Sequence, residues 1–262
     1  PFLMGMLFLP LFLLFVWMLS VIPAPSQEDI IARAPRLPMT NTDKKNVFRK
    51  YGWGLLCFII LYTFLATLRD FRDNFTVEIW SEIDPGWDKN VFTQTEAITS
   101  VIVLAVIGSL SVIKNNFRGF WVVNGIIGIG FMITALATFL FQRHIISPFW
   151  WMLLLGTGLF LAYMPMQIAL FERLIAHFRI TANAGFFVYL CDSIGYMGSV
   201  LLLLYKEFFM EKMSWSLVLM KFTYLQAAIS LVLLAGACVF FYRSAVQKKK
   251  AAAPVQVALS EV

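Results

Sequence analysis

Charge is scarce in this chain. Only 14% of its 262 residues are Asp, Glu, Lys or Arg, against about 25% in soluble domains. That scarcity excludes a soluble domain, a disordered chain and a coiled coil. The basic residues give a net charge of +6. They sit in short clusters between apolar runs, so they read as membrane-orientation charge rather than as a nucleic-acid surface. Cysteine occurs three times and histidine twice. Cys57, Cys191 and Cys238 each lie within an apolar run, which excludes a disulfide framework and metal-ligand spacing and leaves small buried hydrophobes. His144 and His177 have no ligand set beside them, so no metal is expected. The sequence also lacks a nucleotide loop, a nucleophile elbow, a metalloprotease motif and a catalytic Cys–His arrangement. No cofactor and no enzymatic activity are expected.

What the chain has instead is apolar length. Hydrophobic residues make up 60%, with 26 Phe and 8 Trp. Seven stretches approach the roughly 20 apolar residues that a membrane helix needs: Pro1–Gln27, Tyr51–Leu68, Ala97–Ile113, Gly119–Gln142, His144–Phe171, Ile180–Tyr205 and Phe222–Tyr242. The expected fold class is an all-α polytopic membrane protein with seven transmembrane helices. The first run has no basic start and begins in mid-run at Pro1, so a fragment of a longer protein is expected rather than a signal peptide. The proline-rich stretch Pro23–Lys50 reads as a linker with at most one short helix. Asp84-Pro85-Gly86-Trp87 reads as a turn, with Trp80 and Trp87 suited to an interface belt. Lys114–Arg118 reads as a tight loop, and Lys248–Lys250 opens a polar tail. Pro23–Lys50, Lys114–Arg118, Glu172–Arg179 and the tail hold most of the Lys and Arg. That bias places them in the cytoplasm of a multi-pass inner-membrane protein whose C-terminus is also cytoplasmic.

A few polar residues interrupt the runs. Arg69, Asp70, Arg72 and Asp73 follow the short run Tyr51–Leu68. One long helix is expected to carry them into the outer half of the membrane, with Arg69 paired to Asp73 four residues on. Tyr62, Ala66, Arg69 and Asp73 share a helix face. Two readings stand: a self-paired helix end, or a cavity wall for an anionic or polar solute. Glu96 and Thr99 face one way at the outer start of their span, where they either complete that wall with Arg69 or serve as exposed caps. Asp192 lies alone in an apolar run, on a face with Gly185, Tyr189, Tyr196 and Ser199. An intramembrane carboxylate of this kind is a proton site or the partner of a buried cation, with Lys221 and Arg69 as candidates. Tyr163 and Gln167 flank Pro165, which bends its helix as a packing kink or a gate. Gly125, Gly128 and Gly130 read as helix-packing contacts.

A seven-span layout with its longest basic loop after the first span resembles the C-terminal half of a major facilitator superfamily transporter, preceded by the last helix of the first half. Pro23–Lys50 resembles the central loop, and Lys114-Asn115-Asn116-Phe117-Arg118-Gly119 the short basic turn of the second half, although the Asp of that turn is absent. Arg69-Asp70-Phe71-Arg72-Asp73-Asn74-Phe75 is similar to an uncharacterised bacterial branch. The resemblance implies residues 1–22 as the last helix of a first bundle, 23–50 as the central loop, 51–242 as a six-helix bundle and 243–262 as a tail. It also implies a twelve-helix fold, a midplane solute site and alternating access. The expected function is secondary active transport of a small polar or anionic solute, with protons as a candidate coupling ion. Arg69, Arg72, Tyr62, Tyr163 and Gln167 are its expected solute ligands, and Asp192, Asp70 and Asp73 its coupling or buried charges. A seven-helix receptor and a membrane-embedded enzyme are the alternatives.

Overall fold

The computed structural model describes residues 2–24, 27, 39–180, 182–209 and 214–260. The chain divides into two units, Pro1–Leu37 and Pro38–Val262. The first holds α1 (Phe2–Ser20), an apolar helix with Pro10 inside it. Part of the expected linker 23–50, residues 25, 26 and 28–38, lies outside the described residues.

The second unit holds seven helices. They are α2 (Asn41–Asn74), α3 (Thr76–Ile83), α4 (Lys89–Val112), α5 (Asn116–Gln142), α6 (Pro148–Phe178), α7 (Ala184–Phe209) and α8 (Trp215–Ser260). All except the short α3 are long and apolar enough to cross a membrane, and no strand occurs among the described residues. This is the architecture of a polytopic all-α membrane protein with six such helices. To these α1 adds a shorter apolar segment, Phe8–Ser20.

The helices outrun the apolar stretches because charged residues are good helix formers. Thr40 and Asp43 form a capping box in which the Asp43 N–H donates to Thr40 Oγ1 at 3.2 Å and the Thr40 N–H to Asp43 Oδ2 at 3.0 Å. That box starts α2 ahead of Lys44, Lys45, Arg49 and Lys50, so the last ten residues of the expected linker 23–50 belong to the bundle helix. Downstream, α2 runs unbroken through Arg69–Asp73, as the sequence suggested. The expected loop Glu172–Arg179 is mostly the last turns of α6, which closes at Arg179 with a left-handed φ of 50°. The stretch expected as a polar tail, 243–262, has a helical backbone to Ser260 as a continuation of α8. Asp84–Trp87 forms the expected turn, with the Trp87 N–H donating to the Asp84 carbonyl at 3.0 Å. Trp80, however, is buried against Trp87 and is no interface residue.

Packing does not follow chain order. α2 packs chiefly on α7 and α8, α6 packs chiefly on α5 and α4, and α5 also meets α8. Exchanging the triplet α2, α4, α5 with the triplet α6, α7, α8 leaves this pairing scheme unchanged. Glycine permits the tightest crossing. A Cβ on Gly130 of α5 would stand 2.5 Å from the Gly158 carbonyl oxygen of α6, and one on Gly158 would stand 2.7 Å from the Gly130 carbonyl oxygen. Gly125 faces open space and makes no such contact. Exposed apolar side chains cover the outer faces, among them Val101 and Leu104 of α4, Met132 and Leu136 of α5, Val200 and Leu201 of α7 and Val232 of α8. In water that surface would drive aggregation; against lipid it is at home.

Candidate functional site

Proline has no N–H to give to the preceding turn. At Pro165 the α-helical ladder of α6 gives way to a π turn over Met166–Leu170. Such turns recur at functional positions because they re-aim side chains. The turn holds Gln167, whose amide reaches across to two other helices. Its Nε2 donates to Asp192 Oδ1 of α7 at 2.8 Å and to Tyr163 Oη at 3.1 Å, and it also donates to Tyr62 Oη of α2. The Tyr62 hydroxyl donates to Asp192 Oδ1 and lies 3.1 Å from the Tyr163 hydroxyl. The two tyrosine rings stack with centroids 5.5 Å apart. At 1.5 Å per residue, Tyr62 lies about 17 Å along α2 from Tyr51, inside the apolar run Tyr51–Leu68.

Small residues allow α2 and α7 to come this close. A Cβ on Gly195 would stand 3.1 Å from Ala66 Cβ and 3.3 Å from the Tyr62 ring, and one on Gly198 would stand 2.7 Å from Thr63 and Thr67 side chains. Tyr62 is therefore 2% exposed, while Tyr163, Gln167 and Asp192 are half-buried. Asp192 thus has neither Lys221 nor Arg69 as its partner. Lys221 is exposed, and Arg69 is engaged elsewhere. The face expected around Asp192 also divides. Ser199 is buried against α2, whereas Tyr189 and Tyr196 are exposed.

A second polar layer lies further along α2. The Arg69 guanidinium rests 4.2 Å from the Tyr163 ring centroid and donates to Asp70 Oδ1 at 2.6 and 2.9 Å. The Ser199 hydroxyl donates to the other Asp70 oxygen at 2.7 Å. The expected Arg69–Asp73 pair does not form, because Arg69 is drawn back over the Tyr163 ring and Asp73 is left to Arg72. Arg72 is 1% exposed. Its Nη1 donates to Asp73 at 2.9 Å and its Nη2 to Glu96 of α4 at 2.5 Å. Its Nε has no partner among the described residues. Glu96 thus serves Arg72 rather than Arg69. Thr99 is buried 3.4 Å from Thr157 of α6. Arg72, expected as a solute ligand, is itself buried, with its two partner carboxylates partly exposed.

At the same end of the bundle, Glu82 of α3 caps α8. Its carboxylate accepts from the Trp215 and Ser216 N–H groups, both at 2.8 Å, and from the Ser216 hydroxyl at 2.8 Å. Lys206 of α7 lies 3.5 Å from the Trp215 ring centroid. Partial burial pushes the Glu82 carboxyl up, but the three hydrogen bonds and the Lys206 charge outweigh it and hold the group below its usual range.

The sequence singled out Tyr62, Tyr163, Gln167 and Asp192, and the fold brings all four together. It missed Glu82, which nothing in its own stretch of sequence sets apart. It also missed the part that Gly156 plays. A Cβ at Gly156 would stand 2.7 Å from Arg72 Nη2, so this glycine makes room for the guanidinium.

A bundle of this kind, with a hydrogen-bonded polar core, belongs to the polytopic membrane proteins. Within that class the chain belongs to DUF5690, a family of unknown function whose model matches residues 1–244. No curated protein and no solved structure matches it.

Proposed function

We propose that the protein is a secondary active transporter that moves a small polar solute across the membrane by alternating access. In this reading α2 and α4–α8 form one half of the pathway, as in the C-terminal half of a major facilitator superfamily protein. The basic ends of α2, α5 and α6 face the cytoplasm of the inner membrane, and so does the C-terminus. The observation that carries the proposal is the convergence of Tyr62, Tyr163, Gln167 and Asp192, from three helices, inside the apolar runs. Polar side chains in such runs are costly and mark solute or ion paths. The interchangeable pairing of the two triplets adds support, because inverted three-helix repeats place a transporter's site at their interface.

The full-length protein in liposomes tests this. A solute screen should find saturable uptake, and Tyr62→Phe and Gln167→Leu should each lower its initial rate at least tenfold with little change in melting temperature. Uptake indifferent to both substitutions would sink the proposal.

A further inference from the structure

The charges around the network do not fit an anionic solute. Two guanidiniums, Arg69 and Arg72, face four carboxylates, Asp70, Asp73, Glu96 and Asp192. Arg72 is consumed by Asp73 and Glu96 and is sealed from solvent. Arg69 is neutralised by Asp70, which Ser199 holds in place. Among the described residues no Lys or Arg pairs with Asp192. Its Oδ1 accepts from Tyr62 and Gln167, and no hydrogen bond reaches its Oδ2 from those residues. A half-buried carboxylate with one oxygen anchored and the other free is a receptor for a cation.

The surroundings indicate which cation. Tyr189 and Tyr196 lie three residues before and four after Asp192, so they flank it on one face of α7. They are 75% and 62% exposed, so the side of α7 that carries them, next to the packed side that holds Ser199, is open within the unit. Tyr62 and Tyr163 line the buried side. Aromatic faces attract ammonium groups and are the usual partners of quaternary ones. A metal ion would instead call for several oxygen ligands, and here one carboxylate oxygen is free.

We propose that Asp192, with Tyr189 and Tyr196 as its aromatic flanks, binds the ammonium group of an organic cation. This rests on the reading of the network as a solute site and replaces the anion with an amine. The free Oδ2 takes the ammonium charge. Tyr62 and Gln167 position the carboxylate, and the Arg69–Asp70 pair bounds the site at its far side.

Equilibrium binding of radiolabelled tetraethylammonium and benzylammonium to the purified full-length protein is the test, with benzoate as the anionic counterpart. At least one ammonium should bind saturably and benzoate should not. Asp192→Asn should weaken that binding at least tenfold, and Asp192→Glu should retain part of it. If Asp192→Asn does not fold, Tyr189→Leu decides, since its side chain is exposed and its loss leaves the core intact; a several-fold weakening is expected. Binding of neither ammonium, as for a carboxylate that takes only a proton, overturns the proposal. So does saturable benzoate binding, or ammonium binding unchanged by these variants. Uptake into liposomes is scored separately. Ammonium binding without transport leaves this site standing and removes the transporter reading. Benzoate transport without ammonium binding does the reverse.

Discussion

Arg72 shows how a buried charge is kept in an apolar bundle. Removing one partner of such a pair costs several kcal/mol, because the other is left uncompensated. The guanidinium has two carboxylates, and it fits between α2 and α6 only because Gly156 has no side chain. Gly156→Ala therefore has an unusual sign. In an open helix the change gains about 1 kcal/mol. Here the methyl meets Arg72 Nη2, and overpacking of about 1–3 kcal/mol should prevail. The melting temperature in detergent should fall; a rise would show that the arginine moves aside freely. The sequence carried part of this. Arg69–Asp73 stood out because charges are rare in an apolar chain. The partners did not, since local spacing favoured Arg69 with Asp73, while the actual geometry depends on Tyr163 and Glu96, which are distant in sequence.

At the scale of elements, α6 and α8 make separate predictions. Pro165→Ala restores the missing N–H and favours an unbroken α-helix in place of the π turn. Gln167 then rotates away from Asp192. Solute uptake and the melting temperature should both fall, because Leu174 and Phe178 turn with the rewound helix; unchanged uptake would mean that the turn does not set the site. The α8 cap is a matter of pH. Because Glu82 is held below its ordinary range when folded, its contribution is complete above the unfolded value and is lost as pH falls through the folded one. The gap in melting temperature between wild type and Glu82→Gln should therefore be constant near neutrality and close from about pH 4.5 downward. The stability difference behind it is small, about 0.5–1 kcal/mol, because Glu82 is exposed and water screens it. A gap that widens in acid would contradict the cap. The bend at Pro165 was legible from proline chemistry alone. Its form as a π turn was not, because the choice depends on the helices packed around it.

For the whole molecule, the apolar runs disclosed the six long helices, since length and composition decide membrane crossing. They did not disclose the helix ends, because Lys, Arg and Glu lengthen helices as readily as they punctuate hydropathy. Nor could they show that each triplet packs mainly on the other, a property of tertiary contacts alone. The crossing of α4 has a direct check. It separates the Asp84–Trp87 turn from the loop at Asn115, so single cysteines at Gly86 and Asn115 should be labelled by an impermeant thiol reagent from opposite sides of the membrane. In the proposed orientation Asn115 is the one expected to label from the cytoplasmic side. Labelling of both from one side would remove α4 as a span.

The π turn of α6 also changes how its neighbours meet it. The buried positions Trp151, Leu155, Leu159, Ala162, Met166, Leu170, Leu174 and Phe178 advance by about four residues at a time, more than the 3.6 of an α-helical turn. A uniform α-helix would let that stripe drift round the cylinder, so that the two ends of α6 faced different partners. The wider turn at Met166–Leu170 takes up part of the drift in one place, much as a leap day keeps a calendar in step with the seasons. Deleting one residue within 166–170 would therefore remove the wide turn and still leave Leu174 and Phe178 on the core side of α6, because the lost residue and the lost turn nearly cancel.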